Sequence, residues 1–293
     1  MTKQTLIKTL MLLVVALSPV AEAIAQTTRY QVGVCDWMIL KRQKLGAFAL
    51  AKEIGADGIE VDMGSLGQRV MFDNELRGGE KTEAFIRAKA VNKIAIPSIA
   101  MSGFFAQSFL KRDNYKDLLD DCFDTMERMG ARVAFLPLGG SGKEWMVQGS
   151  PERADMTRRL HDVGETALSR GVVVGIRTQM NAKESIRLLR EIDSEGIKIY
   201  YNFQDAADNG WDICKELKRL GKKRICQIHA SNTDKVNLRE DTMIDLPKIR
   251  KTLDKIGWKG WLVVERSRDV TRVKDVKYNF SRNVAYLKEI FEE

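Results

Sequence analysis

The amino-acid sequence predicts a (β/α)₈ barrel. Eight apolar runs of strand length, rich in Val and Ile, recur along the chain, and helical stretches lie between them. Strands that are apolar throughout are typical of a parallel sheet covered on both faces. Eight strand–helix units in about 265 residues match this barrel, which takes about 250. A doubly wound open sheet is the rival, but the first predicted strand ends in Cys35-Asp36-Trp37 and not in a Gly-rich turn.

The predicted elements alternate in order along the chain. The strands are expected at residues 30–35, 58–63, 94–101, 132–138, 172–176, 197–201, 225–229 and 261–265. The clearest helix has an apolar face that includes Leu118, Cys122, Met126 and Met129. Further helices are expected near 41–54, 81–92, 152–170, 182–192, 209–220, 245–256 and 275–292. The sequence contains no linker or low-complexity segment, so we expect one domain over residues 26–293.

Residues 1–25 are predicted to be a signal peptide. Lys3 and Lys8 precede a short apolar run at 10–17, and Ala23-Ile24-Ala25 supplies the small residues that a signal peptidase needs before Gln26. The run is too short for a permanent membrane helix. No cysteine lies near the cleavage site to carry a lipid anchor. A frayed N-terminal helix is the alternative. We therefore expect an exported protein, periplasmic or extracellular.

Composition and charge exclude several classes of function. Lys plus Arg is 48 and Asp plus Glu is 40, which gives a net charge of +8. These charges are mixed along the chain, with no basic tail or aromatic–basic repeat, so we expect neither a nucleic-acid partner nor a membrane anchor. Two histidines cannot supply a multi-zinc centre. The four cysteines never form a closely spaced pair, which excludes a zinc finger. We expect buried free thiols at Cys122 and Cys226.

The barrel prediction places the functional site at the carboxyl ends of the strands. Polar and other candidate residues follow these ends: Asp36, Trp37, Glu60, Asp62, Met101, Ser102, Leu138, Gly139, Arg177, Gln179, Asn202, Gln204, His229, Asn232 and Glu265. Three long loops, at 64–80, 102–112 and 139–150, are expected to form walls. Phe104 and Trp145 lie in two of them. Aromatic rings over a polar mouth suit a sugar, although each ring could instead pack its loop onto the barrel.

Six segments, in this order and spacing, carry a family resemblance: 51–60, 171–178, 199–202, 226–229, 244–247 and 257–265. With them, the chain resembles the xylose isomerase-like barrels, the sugar phosphate isomerase/epimerase group. The resemblance implies a sugar ligand. It also implies a divalent metal held by Glu, Asp, His and Glu after strands five to eight. The matching positions here are Arg177, Asn202, His229 and Glu265, of which only the last two agree.

This departure is the basis of the functional prediction. Arg cannot lose its proton in a protein, and two unit charges ~4 Å apart interact by roughly 4 kcal/mol at an effective dielectric of about 20. A divalent cation beside Arg177 is therefore disfavoured. The hypothesis is that the guanidinium occupies the metal's place and pairs with Glu265. We expect no metal cofactor, and a weakly bound divalent cation is the alternative.

Three functions remain open at this stage. In the first, the chain is an isomerase- or epimerase-like enzyme. Arg177 holds an oxyanion or carboxylate, Glu265 or Glu60 is the base, and His229 is the acid or a hydrogen-bond donor. Asn202, Lys235, Trp37, Trp145 and Phe104 would contact the substrate. In the second, the same mouth binds a carbohydrate without turnover. In the third, Arg177–Glu265 is only a structural ion pair. Because sugar phosphates are scarce outside the cytoplasm, the expected ligand is a free sugar, sugar acid or glycan fragment. The oligomeric state is not predicted.

Overall fold

Eight parallel strands close into a barrel in sequence order, with β8 returning to pair with β1. The strands are β1 Tyr30–Cys35, β2 Gly58–Asp62, β3 Ser98–Ala100, β4 Val133–Pro137, β5 Val173–Arg177, β6 Ile197–Asn202, β7 Ile225–His229 and β8 Gly260–Val264. This computed structural model describes residues 29–292. It confirms the predicted single-domain (β/α)₈ barrel. The predicted signal peptide at 1–25 and the predicted domain start at 26 lie outside the described residues.

Helices follow the strands and cover the outside of the barrel. They are α1 Asp36–Ile39, α2 Gly46–Ile54, α3 Gly79–Asn92, α4 Tyr115–Met129, α5 Pro151–Ser169, α6 Ala182–Ile192, α7 Phe203–Asp208, α8 Ile213–Leu220, α9 Leu246–Ile256 and α10 Val276–Phe291. Several begin after a side chain that accepts a hydrogen bond from the backbone three residues on, which satisfies a free N–H of the first turn. These capping residues are Ser150, Asn181, Asp212, Asp245 and Asp275.

Several elements differ from the sequence prediction. The helix expected near 41–54 begins only at Gly46, because Gln43 has a positive φ of 53° that no helix accommodates. The helix expected near 209–220 begins at Ile213, after its cap. A separate short helix, α7, precedes it. The third strand is shorter than expected and begins after Pro97, which lacks the N–H that a sheet ladder needs.

The hydrophobic core lies between the strands and the helices. Side chains such as Val32, Val34, Ile59 and Val61 are buried there against helix residues. A smaller cluster of Ala100, Phe135 and Tyr200 fills the inside of the barrel. Alternate residues of each strand point to these two layers, so the inward set determines what lies beneath the mouth.

The described residues contain four free cysteines and no membrane-spanning helix. All four cysteines lie within residues 29–292 and are free thiols. This confirms the expected free thiols at Cys122, which is buried, and Cys226, which is half-buried. Among residues 29–292, no helix is both long and apolar enough to cross a bilayer.

Candidate active site

Four neighbouring strand ends bring the main candidate residues together. Arg177, Asn202 and His229 are the last residues of β5, β6 and β7, and Glu265 directly follows β8. Asn202 pairs with His229 in the β6–β7 register. Since all strands of a parallel barrel end on the same face, these four side chains surround one mouth.

The main partner of Arg177 is Asp205, which the sequence analysis did not identify. The Nε and NH2 groups of Arg177 donate to the two Asp205 carboxylate oxygens at 2.8 and 2.7 Å. Its NH1 lies 3.6 Å from Glu265 Oε2, so the expected pairing with Glu265 exists as a second, longer contact. Burial alone would lower the pKa of Arg177, but Asp205 and Glu265 outweigh it and raise that pKa. The guanidinium is therefore a fixed cation at the mouth.

One carboxylate oxygen of Glu265 accepts no hydrogen bond from the described residues. Its Oε2 is buried, and no described residue donates a hydrogen bond to it. This oxygen lies 3.6 Å from Arg177 NH1 and 3.6 Å from His229 Nδ1. Buried carboxylate oxygens almost always accept hydrogen bonds, so an exception between a cation and an imidazole, at the wall of a cleft, marks a place for a ligand.

Glu60 lies deeper, inside the barrel, and is fully buried. It accepts hydrogen bonds from Ser98 Oγ at 2.6 Å, Tyr200 Oη at 2.8 Å and His229 Nε2 at 2.8 Å. Burial would raise the pKa of Glu60, but His229, Ser98 and Tyr200 together lower it. An ionised Glu60 assigns the hydrogen of the His229 ring to Nε2. The Nδ1 atom is then directed to the mouth, where Asn202 Nδ2 lies 3.5 Å away.

A cleft of about 730 Å³ opens above these residues. Its described lining comprises Trp37, Met38, Arg42, Ser65, Leu66, Gly67, Ser102, Gly103, Phe105, Ala106, Gln107, Arg177, Gln179, Gln204, Glu265, Arg266 and Arg268. Loops after six of the eight strands contribute to it. The guanidinium carbon of Arg177 lies 5.5 Å from the centre of the Phe105 ring, so one aromatic side chain sits beside the fixed cation.

Of the other residues predicted to contact the substrate, some line the cleft and some do not. Trp37 lines the cleft, whereas Phe104 and Trp145 are buried in the hydrophobic core and are not among its described lining residues. Phe105, the neighbour of Phe104, lines it instead. Lys235 is exposed on the loop after β7, where its backbone forms a bridge with Asp269, and it too is outside the described lining.

Asp62 and Arg42 form an ion pair under the rim of the cleft. Arg42 Nε donates to Asp62 Oδ1 at 2.7 Å, and the Gly64 and Ser102 backbone N–H groups donate to the same carboxylate. These three donors favour the ionised form, yet complete burial raises the pKa of Asp62 to about 6. Burial and the nearby Asp62 charge raise the pKa of Asp36 as well.

The strand-end residues do not fit a divalent cation. The Arg177 guanidinium stands where the resemblance places the first carboxylate ligand, and Asp205 holds it there through two hydrogen bonds. The Asn202 oxygen already accepts from the backbone of Gln204. A second group deeper in the barrel, Cys35, Glu60 and His229, has ligand atoms within 4.8 Å of one another. There, His229 Nε2 and Glu60 Oε1 are hydrogen-bonded to each other, and a cation would have to break that bond.

Known proteins resemble this chain in sequence pattern and in fold. The model of a family described as xylose isomerase-like TIM barrel matches residues 48–290. No curated protein matches the chain. Many solved structures share the fold, and three of them illustrate the likeness. D-psicose 3-epimerase with D-tagatose from Clostridium cellulolyticum H10 is 12% identical, with a TM-score of 0.71, and the match covers 90% of this chain and 100% of that chain.

The other two structures give similar values. For 3-keto-D-glucoside 4-epimerase from E. coli, apo form, the identity is 15% and the TM-score 0.69, with 89% of this chain and 99% of that chain covered. For a xylose isomerase domain protein from Planctomyces limnophilus, the identity is 15% and the TM-score 0.66, with 89% and 98% covered. At these identities the likeness concerns the fold.

Proposed function

The chain belongs to the xylose isomerase-like TIM barrel family, and from this premise we propose that it is an isomerase- or epimerase-like enzyme. It moves a proton on a free sugar, sugar acid or glycan fragment by carboxylate and histidine chemistry. One observation carries the proposal: the buried, unpartnered Oε2 of Glu265 lies 3.6 Å from both Arg177 NH1 and His229 Nδ1. A base and a cation therefore border one cleft, and a second proton carrier, the fully buried His229, contacts the base from behind.

Each of these groups has a defined part in the reaction. Glu265 accepts the proton from the carbon next to a substrate carbonyl, and the C–H electrons move to form an enediolate. The NH1 group of Arg177 stabilises the negative charge that develops on the carbonyl oxygen. Return of a proton to the neighbouring carbon isomerises the sugar. Return of a proton from solvent to the same carbon on its other face epimerises it. The proton that Glu265 has taken then passes to His229 Nδ1, which lies 3.6 Å from Oε2, and from there to solvent.

Glu60 acts through His229 and not on the substrate. It is fully buried, and its carboxylate is saturated by Ser98, Tyr200 and His229. Its hydrogen bond fixes the tautomer and orientation of the imidazole, and its charge stabilises the imidazolium that forms when Nδ1 takes a proton. Glu60 is therefore a positioning residue in this mechanism.

The proposal includes independence from the divalent metal that the resemblance implies. The support is the fixed guanidinium: Arg177 supplies positive charge at the mouth, and its two hydrogen bonds to Asp205 hold it in place without a bound ion. Export is proposed from the leader-like pattern of residues 1–25. It is the reason for choosing non-phosphorylated saccharides as substrates.

Hydrogen exchange into substrate tests the proposal. A panel of aldoses, ketoses, 3-keto-sugars and sugar acids is incubated with enzyme in D₂O, and C–H exchange is followed by NMR. Glu265→Gln keeps the side-chain volume but removes the base, so we expect exchange to fall by roughly 10²–10⁴-fold. The matched control is Glu289→Gln, an exposed carboxylate that pairs with Arg239 on the surface.

Two results would overturn the proposal. Undiminished exchange in Glu265→Gln would remove the proposed base. One divalent metal per chain by ICP-MS, together with loss of exchange after EDTA treatment, would remove the metal-independent part and leave proton transfer standing.

A carbohydrate-binding barrel without turnover is the second candidate. The observation that favours it is the two-point hydrogen bond to Asp205, which leaves Arg177 with only NH1 for a ligand. Such a protein would show a thermal shift with sugars but no exchange in D₂O. A purely structural role is separated by Arg177→Ala, which would then lower stability while leaving any ligand response unchanged.

A further inference from the structure

The charged side chains that line the cleft are mostly positive. Of the described lining residues, Glu265 is the one carboxylate, whereas four are arginines: Arg42, Arg177, Arg266 and Arg268. Side-chain exposure is 43% for Arg42 and 39% for Arg266. The carboxylates that pair with these arginines are only 0–13% exposed and lie behind them: Asp62, Asp205 and Asp234. The cleft therefore presents guanidinium groups to a ligand.

Arg266 is the least well paired of the four. Asp234 accepts hydrogen bonds from Arg268 through the backbone N at 3.0 Å and Nε at 3.1 Å. The NH2 group of Arg266 only approaches the same carboxylate, at 3.4 Å. One carboxylate thus serves two guanidinium groups. The Nε of Arg266 is buried, and no described residue accepts its hydrogen. A buried N–H without an acceptor is costly, so the site is incomplete without a further acceptor.

The backbone fixes Arg266 in this place. Ser267, between the two arginines, has a φ of 69°, which is rare for a residue with a side chain. Its N–H donates to the Asn232 carbonyl at 3.1 Å, and its carbonyl accepts from Asn237 and Asn283 at 3.1 and 2.7 Å. A left-handed residue held by three buried partners is a built feature and not a mobile loop.

We propose that the cleft selects saccharides that carry a carboxylate, such as uronates, and that Arg266 binds this group. A guanidinium binds a carboxylate through two parallel hydrogen bonds, and the Arg266 side chain is 39% exposed at the cleft. The adjacent Glu265 has the complementary need, a donor for Oε2, which a sugar hydroxyl supplies. A sugar acid gives Arg266 a charged acceptor and Glu265 a donor at once, whereas a neutral sugar offers Arg266 only hydroxyl oxygens, which are weaker acceptors. The inference rests on the proposed function in one respect, which is the assignment of the end of the ligand that reacts.

Calorimetric titration of matched ligands tests the selection without requiring turnover. The probes are D-glucose with D-glucuronate and D-gluconate, D-galactose with D-galacturonate and D-galactonate, and D-glucose 6-sulfate. In the wild type we expect the best acid to bind at least about tenfold more tightly than its neutral partner, and the preference to shrink between low and high salt. Arg266→Gln should reduce the preference to within about twofold.

The control is Arg272→Gln, which changes an arginine of the same loop that pairs with Asp275 away from the cleft lining. It should keep the acid preference. If Arg266→Gln does not fold, Arg266→Lys retains the charge but lacks the planar pair of donors and should lose most of the preference.

Several outcomes would overturn the inference. These are no binding by any acid of the panel, equal affinity for acids and neutral sugars, an unchanged preference in Arg266→Gln, or tighter binding of the sulfate ester than of the carboxylates. Acid preference without hydrogen exchange would leave the inference standing and remove the proposed function. Exchange on neutral sugars without acid preference would do the reverse.

Discussion

The inside of the barrel and its mouth differ in how far their buried polar atoms are hydrogen-bonded. Inside, the amide of Gln227 donates to Ser98 and Tyr200, and both hydroxyls donate to Glu60 together with His229. At the mouth, Glu265 Oε2 and Arg266 Nε are buried and make no hydrogen bond with a described residue. The first arrangement fixes one geometry. The second leaves hydrogen bonds to be made, which distinguishes residues that support a site from residues that bind at it.

The largest expected effect is a gain of metal affinity at the mouth of the barrel. In Arg177→Glu with Asn202→Asp, the four strand ends carry Glu, Asp, His and Glu, the set that the family resemblance implies. We expect a Kd for Mn²⁺ in the range of roughly 1–100 μM, because two carboxylates replace a cation and an amide. Isothermal titration measures it.

The control for this change is Arg177→Gln, which removes the cation without adding carboxylates and should bind Mn²⁺ at least about tenfold more weakly. A folded double variant that gives no binding heat would show that the other wall residues, Asp205 included, prevent a cage.

The second effect compares stability between the two regions. Glu60→Ala leaves Ser98, Tyr200 and His229 without their acceptor inside the barrel, so we expect the free energy of unfolding to fall by about 3–5 kcal/mol. Glu265→Ala removes an oxygen that has no donor, and the fall should be under about 1 kcal/mol. Urea unfolding measures both. Equal losses would contradict the distinction between a saturated interior and an unsatisfied mouth.

The smallest effect is a pH dependence at the boundary between the regions. Burial raises the pKa of Asp62 to about 6 in the folded protein, above its ordinary value of 3.8. The folded state therefore binds more protons than the unfolded state between these values. This contribution to stability is complete below pH 4 and is lost as the pH rises through 6.

Asp62→Asn removes the titration, and Arg42, which is 43% exposed, remains hydrated. From pH 5 to pH 8 we expect the wild type to lose about 1–2 kcal/mol more stability than the variant, measured by urea unfolding at each pH. A parallel pair of profiles would mean that Arg42 and the two backbone donors hold Asp62 ionised throughout.

Periodicity was sufficient to predict the barrel, because each strand carries its own apolar run. The predicted segments 30–35 and 225–229 coincide with β1 and β7. The third strand was predicted too long, since hydrophobicity does not register the missing N–H of Pro97. Strand ends also predicted correctly that Arg177, Asn202, His229 and Glu265 are neighbours, because all parallel strands end on one face.

The partners of these residues were harder to predict. Asp205 lies on α7, a six-residue helix too short to show a helical period, and the first turn of that helix turns it back to Arg177. Its position three residues after a strand end was the available signal. The difference between Phe104, buried in the core, and Phe105, beside the cleft, depends on a single turn of 3₁₀ helix that sequence pattern does not resolve.

The guanidinium of Arg177 is part of the polypeptide, so in the proposed site its charge arrives with folding. Every molecule carries it from the moment the barrel closes. In the metal-independent site proposed above, no loading of an ion would stand between synthesis and a complete site. In return, the charge of Arg177 is fixed at one unit and cannot be changed by supplying a different ion.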